Sequence, residues 1–307
     1  MRPGAYEAGV DFVTPSLYAL GAIALWALLA SLGILLAHVP PFLLTGVSLL
    51  VGSVWAWPSA MRQPRLWRLP ASTLALGVFT LFGFHFFLFM GLRLAPAVEV
   101  NLVNYLWPLL IVVMAPLYLK TPLQPVHWVA AVAGFVGAAV AIVGASQTTG
   151  PATPAVATLA SGRGPDIWIG YALALASAWI WANYSLQTQR LERLGRGFAT
   201  ASIGLFGLVA GILSLLCHGL LEVTPPLSVR DLLLLAVMGL GPLGGAFYLW
   251  DKALKAGDAR RIGVLSYLTP LASTVLLIAV TQRQWTLHIV LAAALVIGAA
   301  VAGTWAE

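Results

Sequence analysis

The segment Asn101-Leu-Val-Asn-Tyr-Leu-Trp-Pro108 decides how the rest of the chain reads. It sets two amides, a phenol, an indole and a proline in a run otherwise apolar enough to cross a membrane. Polar side chains are costly in hydrocarbon, and a proline inside a helix removes a backbone hydrogen bond and kinks it. A weaker counterpart follows in the second half as Ser266-Tyr-Leu-Thr-Pro270. Two polar, interrupted helices at corresponding positions of two halves point to a binding site of the kind built into transporters.

Composition sets the medium. Of 307 residues, 60% are hydrophobic and only 8% charged, against about 25% charged in a soluble domain. The chain therefore reads as an integral membrane protein. Apolar runs long enough to span fall at about 17–37, 41–57, 70–92, 96–117, 126–145, 167–188, 198–220, 231–250, 259–280 and 285–305. The second is short unless it tilts or extends. The expected fold class is an all-α membrane bundle of ten transmembrane helices, since a barrel needs short alternating strands.

Ten spans put both termini on one side of the bilayer. That side collects Arg2, Arg62, Arg65, Arg68, Lys120, Arg190, Arg193, Arg196, Lys252, Lys255, Arg260 and Arg261, against Arg93, Arg163, Arg230 and Arg283 on the other. The positive-inside rule places the richer side, and so both termini, in the cytoplasm. The net charge of +6 is accordingly topological and implies no nucleic-acid partner. A single cysteine, Cys217, allows no intrachain disulfide. An N-terminus with Arg2, Glu7 and Asp11 before many spans does not read as a cleaved signal peptide.

The halves repeat. Shifting Ala95–Pro108 by 162 residues lands on Gly257–Pro270 and aligns Tyr105 with Tyr267 and Pro108 with Pro270. The expected organisation is a first five-helix repeat over 1–149, an external linker over 150–165 rich in Ala, Thr, Gly and Pro, and a second repeat over 166–307. Five spans is an odd number, so the second repeat is inverted, with a central cavity near the midplane.

Chemistry-bearing side chains gather at that depth. Eight of the twelve tryptophans fall near span ends as an interfacial belt. Trp26, Trp107, Trp179 and Trp181 fall mid-span, where an indole N–H needs a partner or water; they either fill gaps between helices or line a cavity. Asn101, Asn104, Tyr105 and Pro108 share one helix face. Trp179, Asn183 and Gln187 share another, as do Ser266, Tyr267, Pro270 and Thr274. Any one polar group here may hydrogen-bond between helices, worth about 1 kcal/mol or less; three aligned faces with aromatics favour a wet cavity. His85, within a phenylalanine-rich run, reads equally as a hydrogen-bonded core histidine or a proton-linked group. The stretch Gly239–Gly245, followed by Tyr248, suits close helix packing or a bend. Glu99 is the one acid well inside a span and a candidate coupling group, expected to face water or a partner such as Arg93; Asp251 and Asp258 read as loop charges.

No phosphate-binding loop, zinc-ligand pair, nucleophile elbow or Cys/His cluster is present. The chain is thus not expected to be an enzyme, nor to hold a cofactor or metal.

With these residues in view, the chain resembles the EamA branch of the drug/metabolite transporter superfamily. The pattern of a small residue, Leu, a basic residue and then a helix with a mid-helix proline recurs at Gly91–Pro108 and Ala253–Pro270. Asn104–Pro108 and the mid-membrane tryptophans are most similar to that branch's aromatic amino-acid exporters of the YddG type. The resemblance implies export of aromatic and other neutral amino acids through a cavity lined by spans one, three, four, six, eight and nine. Lys120 and Gln282 stand near places where the branch often carries a glutamate. Under this reading Trp26, His85, Asn101, Asn104, Tyr105, Trp107, Trp179, Asn183, Tyr248 and Tyr267 contact substrate, with Pro108, Pro270, Gly241 and Gly244 as hinges. The expected setting is a bacterial-type inner membrane, the partners being amino-acid substrate and lipid, with homo-oligomerisation left open. Export of drugs or another small metabolite is the alternative. A membrane enzyme would want clustered acids or histidines at one interface, which are not seen.

Overall fold

The computed structural model describes residues 13–148, 166–281 and 287–304. The linker expected over 150–165, together with Arg2, Arg163, Gln282, Arg283, Trp285 and Trp305, lies outside the described residues. Among the described residues every regular element is helical, with no strand, and seven helical runs are long and apolar enough to cross a membrane. The protein is a multi-pass membrane protein.

The helices, in order, are α1 (Val13–Leu35), α2 (Pro41–Ser53), α3 (Trp57–Arg62), α4 (Ala71–Val78), α5 (Phe84–Leu94), α6 (Ala97–Asn104), α7 (Trp107–Leu119) and α8 (Pro125–Thr148). After the undescribed segment come α9 (Asp166–Arg193), α10 (Ser202–Leu221), α11 (Val229–Leu240), α12 (Ala246–Ala256), α13 (Ala259–Leu265), α14 (Leu268–Thr281) and α15 (Leu287–Thr304). The second expected span was too short because the run does not stop at residue 57: a single 3₁₀ turn, Val54–Ala56, carries α2 into α3 as far as Arg62.

Local irregularities sit where the sequence forces them. α4 joins α5 through a π-helical turn, Phe79–Gly83, and α11 joins α12 through another, Gly241–Gly245. In the second, Pro242 lacks the N–H that a regular helix would need. α6 and α7 are separated by a break at Tyr105–Leu106, and α13 and α14 by one at Ser266–Tyr267, each just before a proline. α2 and the second π turn approach so closely that a Cβ on Gly52 would lie 2.7 Å from Gly244 Cα and 2.8 Å from Gly239 O. The glycines there serve packing.

The helices pair as α2 with α10, α5 with α9, α1 with α12 and α14, α7 with α9 and α13, and α8 with α15. Two buried charge clusters hold the two ends of this bundle, and the sequence reading anticipated neither. Arg93 does not meet Glu99; it meets Glu222 at 3.0 Å, while Glu99 is exposed on the first turn of α6. Glu222, with its side chain only 3% exposed, also accepts the N–H groups of Phe42 and Leu43 at 3.2–3.3 Å and binds His218 Nδ1 at 2.9 Å. It thus caps α2 from another part of the chain, a carboxylate at the positive end of a helix dipole. Its Arg93 partner also lies over the Phe42 ring, 5.6 Å from the centroid.

At the opposite end, Asp251 is no loop charge. It is fully buried on α12 and accepts hydrogen bonds from Thr200 Oγ1 and Lys255 Nζ, both at 2.6 Å. Lys255 also donates to Phe198 O and stands 4.2 Å from the Phe198 ring centroid. Gln189 of α9 completes this end: its amide donates to Leu254 O and Gly257 O and accepts from Ala259 N, clasping the α12–α13 connection. Asp258 caps α13; burial works against its ionisation, but bonds from Arg260 hold the carboxyl below the usual range.

Replacing Glu222 by Ala leaves Arg93 unpaired and the start of α2 uncapped. Removing one partner of a buried pair costs about 3–5 kcal/mol, so the variant is expected to unfold at a clearly lower temperature in detergent. A Glu99→Ala variant is expected to unfold with the wild type.

Candidate functional site

A cavity of about 600 Å³ opens where α1, α2, α5, α6, α7, α8, α9, α11, α12 and α14 meet. Its lining runs from Trp26 past Ala30 and Gly33 of α1 to Ala37 and Val39, so it reaches the end of the bundle at which α1 ends. Half-exposed His38 stands in that connection and meets Asp231 at 3.3 Å. We call this end the mouth.

The floor is aromatic. Trp26, Trp107, Trp181 and Trp250 come from α1, α7, α9 and α12. Ring centroids lie 5.2 Å apart for Trp26–Trp250, 5.5 Å for Trp107–Trp250, 5.8 Å for Trp26–Trp181 and 6.3 Å for Trp107–Trp181. Phe84 and Phe247 extend the cluster, each 5.5 Å from Trp181. Edge-on and tilted arrangements of this kind are worth about 0.5–1.5 kcal/mol per pair beyond area burial. Two indole N–H groups are satisfied inside the floor: Trp26 Nε1 donates to Pro242 O at 3.1 Å, freed by the π turn, and Trp250 Nε1 to Ser185 Oγ at 3.2 Å. Beneath Trp250 lie Asp251 and the Gln189 clasp, and no residue beyond Trp26 toward the start of α1 lines the cavity.

The walls are apolar with polar insets. His85, Asn101, Asn104 and Tyr105 lie on one side; Thr269, Ser273 and Thr274 of α14 and Thr45 of α2 lie on others. Among the described residues lining it there is no aspartate, glutamate, lysine or arginine. Asn104 Nδ2 donates to Ser177 Oγ at 2.6 Å, and Ser177 spends its own proton on Ala174 O at 2.8 Å. His85 Nδ1 lies 2.6 Å from Leu81 O.

Of the expected site residues, Trp26, His85, Asn101, Asn104, Tyr105 and Trp107 are brought together here, with Pro270 in the wall and buried Pro108 next to Trp107. The others lie elsewhere. Trp179 is 44% exposed on the outer face of α9, and Trp181 faces inward instead. Asn183 accepts from Tyr118 O–H at 2.8 Å, tying α9 to α7. Tyr248 donates to Gly52 O at 3.3 Å. Tyr267 is fully buried against Gly134 and the α8–α15 pair. A Cβ on Gly241 would make one ordinary contact, 3.7 Å to Leu25 Cδ2, whereas Gly244 is packed on Gly52. Glu99 does not line the cavity.

Burial along α9 decides between Trp179 and Trp181. The buried face of α9 carries Ala174, Ser177, Ala178, Trp181 and Ser185, spaced three, four, seven and eleven from the first, and Trp179 falls off that stripe. Thr45, Thr269 and Ser273 carried no such signal, because a lone hydroxyl in a membrane helix is ordinary.

Fold and cavity together define a polytopic helical membrane protein with a ligand-sized central chamber closed at one end. The EamA-like transporter family matches residues 14–143 and again 168–303, and this chain belongs to that family. It is 35% identical over 286 residues to a protein named aromatic amino acid exporter YddG from Ancylobacter novellus, covering 92% of this chain and 94% of that one. A protein of the same name from Escherichia coli is 27% identical over 218 residues, 69% of this chain and 70% of its own length. A solved crystal structure at 34% identity superposes with a TM-score of 0.83 over 95% of this chain and 97% of that chain.

Trp181 holds the floor together and Trp179 does not. Trp181→Ala is expected to cost about 3–5 kcal/mol, the usual range for deleting a buried aromatic, and Trp179→Ala well under 1 kcal/mol, as for surface changes. Thermal unfolding of the two purified variants checks this; equal losses would contradict the assigned floor.

Proposed function

We propose that this chain is a secondary transporter that exports amino acids, aromatic and other neutral ones, through the central cavity by alternating access. The observation that carries the reading is the chamber itself: aromatic at its closed end, lined with neutral polar groups, and without a charged side chain among the described lining residues. Such a site favours a ligand with an apolar ring and no net charge; indole and phenyl faces take the ring, while amides and hydroxyls meet the ammonium and carboxylate. A phosphorylated substrate would want lysine or arginine there. The names carried by the two relatives point the same way.

The architecture behind this is ten spans in two inverted five-helix repeats, over residues 1–149 and 166–307, joined by an external linker. The seven apolar runs would be completed by α9, by α13 with α14, and by α15. Family matches over both halves support the repeat. So do the irregularities: the π turn at Phe79 recurs at Gly241, 241 − 79 = 162, and the interrupted helix beginning at Ala97 recurs at Ala259, 259 − 97 = 162. The pairings match as well: α1 of the first half packs on α12 and α14 of the second, as α9 of the second packs on α5 and α7 of the first.

With both termini in the cytoplasm of an inner-membrane protein, the mouth faces outward and the tryptophan floor closes the cytoplasmic side. Export then requires the Gln189 clasp and the floor to open while the mouth narrows. The breaks before Pro108 and Pro270, and the π turn at Gly241, are the places where the helices can bend.

In proteoliposomes the protein is expected to exchange labelled phenylalanine for internal phenylalanine, tryptophan or methionine, and Tyr105→Ala to lower that exchange at least tenfold while leaving the fold intact. Exchange of no amino acid, with transport of an apolar drug instead, would replace this reading by the drug-export alternative.

A further inference from the structure

The cavity's polar groups are not interchangeable, and their hydrogen-bond bookkeeping assigns them to different ends of a substrate. His85 Nδ1 faces the carbonyl oxygen of Leu81 at 2.6 Å. A carbonyl only accepts, so Nδ1 carries the proton. The ring is 6% exposed and wrapped by Phe84, Phe89 and Phe247, with no carboxylate among the described lining residues. A neutral imidazole tethered through Nδ1–H has Nε2 left as a bare acceptor. That nitrogen makes no hydrogen bond within the described residues.

Asn104 reaches the same state by another route. Because Ser177 spends its proton on Ala174 O, it accepts from Asn104. The amide orientation is thereby fixed, and Oδ1 is the atom left over. Thr269 is the opposite case: the residue lines the cavity, and its hydroxyl is closed off from solvent without a partner, one side-chain rotation from the chamber. It is a donor in want of an acceptor, and an unmade bond of this kind costs about 1–3 kcal/mol.

We infer that His85 Nε2, with Asn104 Oδ1, accepts the α-ammonium group of the exported amino acid and that the Thr269 hydroxyl donates to its α-carboxylate, so that both charged ends are read by neutral groups. This rests on the amino-acid reading above. Specificity follows from the same arrangement. A site built to bond a polar group rejects analogues that lack it, because its own buried atoms then stay unpaired. An acceptor-only group refuses a second carboxylate, and with no acid in the chamber a second cationic group has no counter-charge.

The test is inhibition of labelled phenylalanine exchange in proteoliposomes by phenylalanine, by 3-phenylpropionate, which lacks the ammonium, and by phenethylamine, which lacks the carboxylate. Three variants separate the roles. His85→Asn keeps a donor for Leu81 O and loses the distal acceptor; His85→Gln keeps the distal acceptor and loses the tether; Thr269→Val removes the hydroxyl at constant shape. The preference of the wild type for phenylalanine over 3-phenylpropionate is expected to fall about 10- to 100-fold in His85→Asn, the worth of a hydrogen bond to a charged group, and to survive within about threefold in His85→Gln. Thr269→Val is expected to shrink the preference over phenethylamine and leave the other ratio unchanged. If His85→Asn keeps the wild-type ratio, or weakens both inhibitors equally while His85→Gln loses the preference, histidine is a structural tether and the assignment is overturned. If the wild type exchanges no amino acid, the transport reading itself falls and the assignment with it.

Discussion

Four indoles brought from four helices make the constraint on which the rest of this structure depends. Trp26, Trp107, Trp181 and Trp250 meet at centroid separations of 5.2 to 6.4 Å, and wherever they meet the space between the helices is filled. Above them it is not. The cavity exists because the floor ends at Trp26 while α1 continues for two more turns lined by Ala30 and Gly33. Hydrogen bonding fixes the floor in place, since an indole N–H in a dry bundle needs an acceptor. The π turn at Gly241–Gly245 supplies one by freeing Pro242 O, and Ser185 supplies the other. An irregular stretch of backbone is here tied to the wall of a chamber, which is where a membrane protein tolerates it.

Around this floor the two ends of the bundle are closed by different chemistry. At the mouth end the buried carboxylate of Glu222 holds Arg93, His218 and the start of α2. At the floor end Asp251, Lys255 and Thr200 form a charge cluster, and Gln189 clasps backbone groups of the α12–α13 connection. Arg93 and Lys255 are also related by the 162-residue repeat, 255 − 93 = 162, and each sits against an aromatic ring, Phe42 and Phe198. The same device thus recurs once in each half, while the carboxylate partners differ. That asymmetry suits a molecule whose two ends are held in unlike states.

Much of the fold was legible from sequence. Hydrophobic runs located the helices to within a few residues, because in a bilayer nothing competes with the requirement that backbone groups be satisfied within a helix. The breaks before Pro108 and Pro270 were equally readable from a residue that cannot donate. What failed was whatever depends on rotation about a helix axis or on distant pairing. Trp179 and Trp181 lie two positions apart, so the helix turns them to opposite sides, and a mid-span position alone does not distinguish them. Tyr267 aligns with Tyr105 in the repeat yet is packed against Gly134, since the two halves are in different environments at that level. Asp251 looked like a loop charge because α12 runs a turn further than its apolar residues do. Glu222 lies just past the end of α10, and nothing local to it indicates that it caps a helix 180 residues away.

The central claim is that a chamber open at one end and sealed by tryptophans at the other is the substrate's path. Cysteine accessibility reads it most directly. In a Cys217→Ser background, Ser273→Cys, in the chamber wall, is expected to react with a membrane-impermeant maleimide applied from outside, and added phenylalanine to slow that reaction. Thr188→Cys, buried below the floor, is expected to stay unlabelled under the same conditions. Labelling of Thr188→Cys from outside, or labelling of Ser273→Cys that phenylalanine leaves unchanged, would contradict the account.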